Sequence, residues 1–313
     1  MRKRIILDCD PGHDDALAMS LAIASSKIDL LAVTTSAGNQ TPDKTLKNAM
    51  NILTLLKRED IPIAGGNQTP LVKEELETAG NVHGKSGIDG AELPKSHFEA
   101  QNMTAIELIA KVLHKSYEQV TLVVTGPMTN IALFLRIYPE LAREKIDQIV
   151  FMGGAIGLGN WTPTVEFNIF VDPEAAKVVL NFGIPLVMTP LNVTHKAQIL
   201  KSKIEEIKYI DNPVGKVFYG LLNFYETYHE NPKWEFEGTP LHDPCTIAWL
   251  IHPEMFKTKR MNVDVEIQGT LTRGETVCDY YELTDKPKNV EVMLDIDREY
   301  FIQLLMSSIC SFD

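Results

Sequence analysis

Short apolar stretches rich in isoleucine and valine recur along the first two-thirds of the chain. They predict strands over residues 4–8, 30–36, 61–64, 120–125, 148–152 and 185–189. Between them, apolar residues three or four positions apart form one-sided stripes, which predict amphipathic helices over residues 14–25, 43–57 and 104–116. Apolar strands that alternate with crossover helices predict a mostly parallel sheet covered on both faces.

The pattern changes in the last third of the chain. A helix is predicted over residues 212–230, three alternating strands over 262–268, 275–282 and 289–295, and a final helix near 298–309. The predicted fold class is therefore α/β, with an open, mostly parallel, Rossmann-like central sheet flanked by helices and a small antiparallel extension in the C-terminal third. Because no linker rich in proline, glycine or serine interrupts the chain, residues 1–313 are expected to form a single domain.

The composition is that of a globular protein. The chain has 313 residues, of which 44% are hydrophobic and 23% charged, and this excludes a disordered chain. Its net charge of −12 repels phosphate backbones and anionic lipids, so no nucleic-acid polymer is expected as a partner. The cysteines are scattered without a CxxC pair, which indicates reduced thiols rather than a zinc or redox site.

The location of the protein is predicted from its apolar runs. The run at residues 5–7 is too short for a signal peptide. No stretch approaches the roughly 18 apolar residues of a membrane-spanning helix. We therefore expect a soluble, cytoplasmic protein that does not bind membranes.

Polar side chains follow four of the predicted strands. They lie in residues 8–15, 38–40, 125–130 and 153–155. In open α/β sheets, ligands bind outside the carboxyl ends of the strands, so these segments are expected to converge at one rim of the sheet.

The first of these segments concentrates negative charge. Asp8, Asp10, Asp14 and Asp15 lie within eight residues, and such carboxylates repel one another unless a cation neutralises them. Oxygen donors without a histidine or cysteine cluster favour a hard ion such as Ca²⁺ or Mg²⁺, although the spacing is not that of an EF-hand. The alternative is that Asp14 and Asp15 cap the following helix, which explains two carboxylates but not four.

Three other segments carry candidate chemistry. Residues 242–244 (His-Asp-Pro) would on their own be interpreted as a helix N-cap, and residues 166–168 (Glu-Phe-Asn) follow a glycine-rich stretch that fits no phosphate-binding motif. His83 lies in a predicted loop of roughly thirty residues, a length typical of functional or mobile loops, where a solvated histidine is the alternative interpretation.

Together, residues 8–15, 38–40, 81–84, 125–127, 152–154, 166–168 and 242–244 resemble the motifs of the nucleoside hydrolase family, which cleaves the N-glycosidic bond of ribonucleosides. The resemblance covers the whole chain. Within this inosine-uridine preferring family, residues 157–163, 233–234 and 245–249 are most similar to the bacterial pyrimidine-specific ribonucleoside hydrolases.

The resemblance implies a site and a mechanism. Ca²⁺ would be held by Asp10, Asp15, Asp243 and the backbone carbonyl of Thr125, and Asp14 would be the general base that activates the Ca²⁺-bound water. The implied substrate-binding residues are Asn39, Glu166, Asn168 and Asp243 for the ribose hydroxyls, Met152, Asn160 and Phe167 around the sugar, and Tyr228 near the base.

His83 and His242 are implied to act with Asp14 in catalysis, near the leaving base. Uracil and cytosine present exocyclic oxygens that need hydrogen-bond donors, which His83, Tyr228 and His242 can supply. The small-molecule partner is then a pyrimidine ribonucleoside, uridine or cytidine, which is cleaved to ribose and free base. The family resemblance also implies a homotetramer or homodimer.

Several alternatives remain open at this point. A hydrolase that accepts purines or lacks specificity would have the same motifs. A haloacid-dehalogenase-like phosphatase also begins with a strand that ends in D-x-D, here Asp8 and Asp10, but it needs no Asp14-Asp15 pair. A non-catalytic, calcium-dependent nucleoside-binding protein would use Asp14 only as a helix cap.

Overall fold

The computed structural model describes residues 2–312. The strands are β1 (Lys3–Cys9), β2 (Ile28–Thr35), β3 (Ile63–Gly65), β4 (Val120–Val124), β5 (Ile146–Met152), β6 (Leu186–Thr189), β7 (Gln198–Ile199), β8 (Thr239–Pro240), β9 (Phe256–Met261), β10 (Val263–Val265), β11 (Thr276–Cys278) and β12 (Val290–Ile296). The helices are α1 (His13–Ala24), α2 (Pro42–Leu55), α3 (Gly80–His83), α4 (Ala105–Lys115), α5 (Thr129–Ile137), α6 (Pro139–Lys145), α7 (Phe167–Val171), α8 (Pro173–Leu180), α9 (Leu191–Thr194), α10 (Lys201–Ile207), α11 (Pro213–His229), α12 (Pro244–Ile251) and α13 (Arg298–Cys310), with short 3₁₀ turns at Pro232–Trp234 and Pro253–Met255.

Over the described residues, the central sheet has eight strands in the order β3-β2-β1-β4-β5-β6-β12-β9. All neighbours pair in parallel except β12 and β9, which are antiparallel. The strand order reverses between β1 and β4, where the N–H of Thr125 extends the pairing by donating to the carbonyl oxygen of Asp8 at 2.9 Å. A crevice therefore opens at the carboxyl ends of β1 and β4, the position at which such sheets bind ligands.

The sheet separates two hydrophobic clusters, because successive side chains of a strand point to opposite faces. In β1, Ile5 and Leu7 pack into the cluster formed with α1, α2, α11, α12 and α13. Ile6 packs into the opposite cluster, formed with α4, α5 and α8. Both faces are covered, which is why the strands of the first half have continuous apolar sequences.

The predicted α/β class is confirmed. The predicted small antiparallel extension is confirmed as well: β10 and β11 form a separate two-stranded antiparallel sheet, and so do β7 and β8. The strand predicted at residues 289–295 instead joins the central sheet as β12, parallel to β6, and the edge strand β9 was not predicted. Alternation in sequence indicates a strand but does not identify its partner.

None of the helices within residues 2–312 is long and apolar enough to cross a membrane. The predicted long loop before α4 contains one short helix, α3, which ends at His83. His83 is therefore not a solvated loop histidine, because its side chain is buried.

Candidate active site

The polar segments that follow β1, β2, β4 and β5 meet around one cavity, with about 630 Å³ of space when its open mouth is included. This volume lies in the range of pockets that bind small molecules. The sequence-predicted residues that line it are Asp14, Asn39, His83, Thr125, Met152, Asn160, Glu166, Phe167, Asn168, Tyr228, His242 and Asp243. The other two, Asp10 and Asp15, are buried directly behind this lining.

Three carboxylates come together at the wall of this cavity. Asp14, Asp15 and Asp243 each offer an oxygen atom within 4.8 Å of the others. Asp14 and Asp15 occupy the first turn of α1, and Asp243 precedes α12, which packs against α1. The backbone N–H of His242 donates to Oδ2 of Asp14 at 3.2 Å, which links the two helix starts.

Asp15 and Asp10 are held by the segments that follow β2 and β4. Oδ1 of Asp15 accepts a hydrogen bond from the Thr125 hydroxyl at 2.8 Å, and its Oδ2 accepts from the Asn39 side chain at 3.2 Å. Oδ2 of Asp10 accepts from the backbone N–H of Asn39 at 2.7 Å. Its Oδ1 is buried and has no hydrogen-bond partner anywhere in residues 2–312.

Glycines leave room around the Asp10 carboxylate. A Cβ atom at Gly38 would collide with Oδ2 of Asp10, and one at Gly126 would lie 2.6 Å from Oδ1. The backbone can approach this carboxylate closely only because both positions lack a side chain.

The electrostatics of this cluster favour a cation. Burial raises the pKa of Asp10, Asp15 and Asp243, and burial together with the charge of Asp15 raises the pKa of Asp14 to about 7. No lysine or arginine among the described residues lines the cavity to compensate. Buried carboxylates with an unpartnered oxygen form a donor set that fits a hard divalent cation.

The predicted ribose residues form the adjoining wall through backbone hydrogen bonds. Glu166 is the N-cap of α7: its carboxylate accepts from the N–H groups of Asn168 at 2.9 Å, Gly154 at 3.0 Å and Ile169 at 3.2 Å, while burial raises its pKa to about 7. The Asn168 side chain donates to the carbonyl oxygen of Thr125 at 2.7 Å. This leaves the second lone pair of that carbonyl for another partner.

Two other predicted residues complete this wall. The side-chain oxygen of Asn160 accepts from the backbone N–H of Phe167 at 3.0 Å. The thioether sulfur of Met152 lies 3.3 Å from the Asn168 side-chain nitrogen. Trp161 packs edge-on against Phe167, with ring centroids 4.7 Å apart, and also lines the cavity.

The remaining wall is aromatic. Trp234 and Phe236 stack with centroids 6.0 Å apart, Tyr228 lies 5.7 Å from Trp234, and His195 meets Phe236 edge-on at 5.0 Å. The Nδ1 atom of His242 lies 2.8 Å from the hydroxyl oxygen of Thr194.

Burial keeps the histidines of this wall uncharged. It lowers the pKa of His195 and His229 to about 4, and that of His83 and His242 well below the usual value. At neutral pH each of these rings is therefore a neutral imidazole, with one nitrogen that can donate a hydrogen bond and one that can accept one.

The polar part of the site was predicted from the sequence, whereas much of the aromatic part was not. The lining residues without a predicted role are Ala79, Val82, Trp161, His195, Tyr225, His229, Trp234 and Phe236. His195 follows α9, directly after β6, so an inspection of that strand end would have found it. No local signal distinguishes the others from packing residues.

Comparison with known proteins agrees with this geometry. A family model described as inosine-uridine preferring nucleoside hydrolase matches residues 5–303. The chain is 58% identical to the pyrimidine-specific ribonucleoside hydrolase RihA of Salmonella arizonae over 301 residues, 96% of each chain. It is 56% identical to RihA of Enterobacter sp. over 308 residues, 98% of each chain.

Solved structures of similar shape include the purine-preferring ribonucleoside hydrolase from Gardnerella vaginalis. Its TM-score is 0.91 at 32% identity, with 98% of each chain covered. An inosine-guanosine nucleoside hydrolase has the same TM-score at 28% identity over the full length of both chains.

Proposed function

Because the chain belongs to the inosine-uridine preferring nucleoside hydrolase family and hydrolyses the N-glycosidic bond of ribonucleosides, we propose that its substrates are the pyrimidine ribonucleosides uridine and cytidine. The observation that carries this proposal is the 58% identity, over nearly the whole chain, to relatives named pyrimidine-specific. The purine-preferring hydrolase of similar structure is only 32% identical.

The proposed cofactor is Ca²⁺, with Asp10, Asp15, Asp243 and the Thr125 carbonyl as ligands. The unpartnered Oδ1 of Asp10 and the close carboxylates of Asp15 and Asp243 support this donor set. When bound, such a cation would orient a water molecule and lower its pKa.

In this proposal Asp14 is the general base. Its carboxylate lines the cavity beside Asp15 and Asp243, and the His242 backbone N–H orients it through Oδ2. It would take the proton of the attacking water as the water oxygen bonds to C1′ of the ribose. A neighbouring cation would keep this carboxylate ionised at neutral pH.

The ribose would bind between the carboxylate cluster and the Glu166 wall. Cleavage of the C1′–N bond develops positive charge on the sugar, as in glycoside hydrolysis generally. Asn39, Asn168, Asp243 and Glu166 offer amide and carboxylate groups for the ribose hydroxyls, and these contacts can strengthen as the sugar becomes cationic. Met152, Asn160 and Phe167 would enclose the sugar ring.

The base would lie against the aromatic wall, near His83, Tyr228 and His242. These side chains line the cavity and supply polar atoms among aromatic rings. In this proposal His83 and His242 assist the departure of the base.

A substrate comparison tests the pyrimidine preference. We expect kcat/KM for uridine or cytidine to exceed that for inosine and adenosine by at least about tenfold, which corresponds to ~1.4 kcal/mol of differential transition-state binding. A reducing-sugar assay across the four nucleosides measures this ratio. Equal or greater efficiency with inosine would exclude the preference while the enzyme remained a nucleoside hydrolase.

We also propose a cytoplasmic homotetramer or homodimer. Leu271, Tyr281 and Leu283 are exposed apolar side chains near the small β10–β11 sheet, as expected for a surface that another subunit covers. Free Cys9 and Cys245 fit a reducing compartment. Sedimentation velocity and cell fractionation test the two statements separately.

A further inference from the structure

Two imidazole rings meet beside the cavity, and the mechanism above uses only one of them. His13 is the first residue of α1, and His83 is the last residue of α3. Their Nδ1 atoms lie 3.0 Å apart, and both side chains are buried. This approach requires Gly12, because a Cβ atom there would lie 2.6 Å from Nδ1 of His83.

The opposite edge of the His13 ring fixes the position of its proton. Nε2 of His13 lies 2.7 Å from the backbone carbonyl oxygen of Asp89, which can only accept a hydrogen bond. Nε2 must therefore carry the hydrogen. His13 is also stacked against Phe224 and Tyr225, with ring centroids 5.4 and 5.2 Å away, and this desolvated position favours the neutral ring. A neutral ring protonated at Nε2 has a lone pair on Nδ1.

The proton position in His83 follows from that lone pair. If Nδ1 of His83 were unprotonated, two lone pairs would face each other across 3.0 Å, which is repulsive. The backbone N–H of His13 also points at Nδ1 of His83, 3.4 Å away, and could donate to it only if that nitrogen were unprotonated. The contact between the two rings is shorter, at 3.0 Å, so it takes precedence over that bond. The ring contact is attractive only when Nδ1–H of His83 donates to Nδ1 of His13.

The remaining nitrogen of His83 is then an acceptor. Across residues 2–312, Nε2 of His83 takes part in no hydrogen bond, and the ring lines the cavity. We propose that His13 is a positioning residue that selects the Nδ1–H tautomer of His83, so that His83 presents an unprotonated Nε2 to the nucleobase.

This role rests on the proposed binding of a pyrimidine nucleoside and refines it. Uracil has an N3–H and cytosine has an exocyclic amine, so each offers an N–H that an acceptor at Nε2 can receive. In this arrangement neutral His83 accepts a hydrogen bond from the base and orients it, instead of donating one to an exocyclic oxygen as predicted from the sequence. Assistance to the departing base then falls to His242. The donors to that oxygen would then be Tyr228 or His242.

The test compares two substitutions that separate the two hydrogen bonds of His13. His13→Asn keeps an acceptor oxygen close to the position of Nδ1. His13→Gln keeps a donor that can reach the Asp89 carbonyl but leaves only a methylene group facing His83. Phe224→Leu is the packing control, because Phe224 stacks on His13 without a hydrogen bond to it.

The readout is the ¹⁵N NMR spectrum of the Ca²⁺-loaded, histidine-labelled protein at neutral pH, in which protonated and unprotonated ring nitrogens have distinct shifts. The His83 signals are assigned from their absence in His83→Gln. We expect a protonated Nδ1 and an unprotonated Nε2 for His83 in the wild type, in His13→Asn and in Phe224→Leu. In His13→Gln, the Nε2–H tautomer should appear.

The kinetic readout is kcat/KM for uridine. We expect His13→Gln to lower it by about 3- to 10-fold, the range for loss of one hydrogen bond, and His13→Asn and Phe224→Leu to change it by less than about twofold.

A wild-type His83 protonated at Nε2, or a His13→Gln protein with the wild-type tautomer, would overturn the proposal. The wild-type spectrum decides the question even if His13→Gln does not fold. It needs no substrate, so it is independent of whether the pyrimidine preference holds.

Discussion

Replacement of Asp14 by asparagine is expected to lower kcat for uridine by about 10²–10⁴-fold, the usual contribution of general acid-base catalysis. The amide has the size of the carboxylate and can still accept the His242 N–H through its oxygen, so the start of α1 should keep its geometry. It cannot take a proton from the attacking water. A stopped assay of ribose release measures kcat, and calorimetry measures Ca²⁺ binding in the same preparation.

The matched control is Asp147→Asn, the same substitution at the exposed start of β5, at the opposite end of the sheet from the cavity. It should leave kcat unchanged. If Asp14→Asn loses Ca²⁺ binding along with turnover, Asp14 is a ligand rather than the base. If it keeps full turnover, another group accepts the proton.

Exhaustive chelation is expected to abolish turnover, and added Ca²⁺ should restore it. Cation binding should also stabilise the fold, by about 2.7 kcal/mol when the ion is present at 100 times its Kd. The physical reason is that Asp10, Asp15 and Asp243 are buried carboxylates, and within residues 2–312 no lysine or arginine lines the cavity to offset their charges. Thermal unfolding with and without Ca²⁺, and ribose release under the same conditions, measure the two effects.

Asp10→Asn isolates the contribution of one ligand. Its side-chain oxygen can still accept the Asn39 N–H, so the turn after β2 should be retained. Burial raises the pKa of Asp10, and removing this charge should leave the ion-free protein at least as stable at neutral pH. The rise in Tm on Ca²⁺ addition and the enzyme activity should both be lost. Full turnover of chelated wild-type protein, or an undiminished Ca²⁺ response in Asp10→Asn, would rule out this donor set.

The aspartates of the first turn illustrate how far the sequence alone reaches. A strand that ends in Asp8 and Asp10, followed by Pro11-Gly12 and a helical pattern, already predicts carboxylates at the carboxyl edge of a parallel sheet. The structure agrees: Asp14 and Asp15 lie in the first turn of α1 at the crevice between β1 and β4. This inference succeeds because the sheet rim is defined by local chain order, the point where each strand ends.

The aromatic wall illustrates the opposite case. Trp234 and Phe236 follow α11, and in sequence each resembles an ordinary packing residue. They become part of a binding surface only because their segments converge on the same cavity.

The α/β class, the positions of most strands and of the five longest helices, and the polar residues at the strand ends could therefore be predicted from the sequence, because periodicity and turn chemistry act over a few residues. The folded chain alone shows that β12 joins the central sheet, that Asp243 meets Asp14 from 229 positions away, and that His13 contacts His83. Those contacts depend on which helices pack together and which strands become neighbours. The helix and strand neighbours are set by the burial of both faces of the whole sheet, which depends on residues far apart in the chain and cannot be derived from a short stretch of sequence.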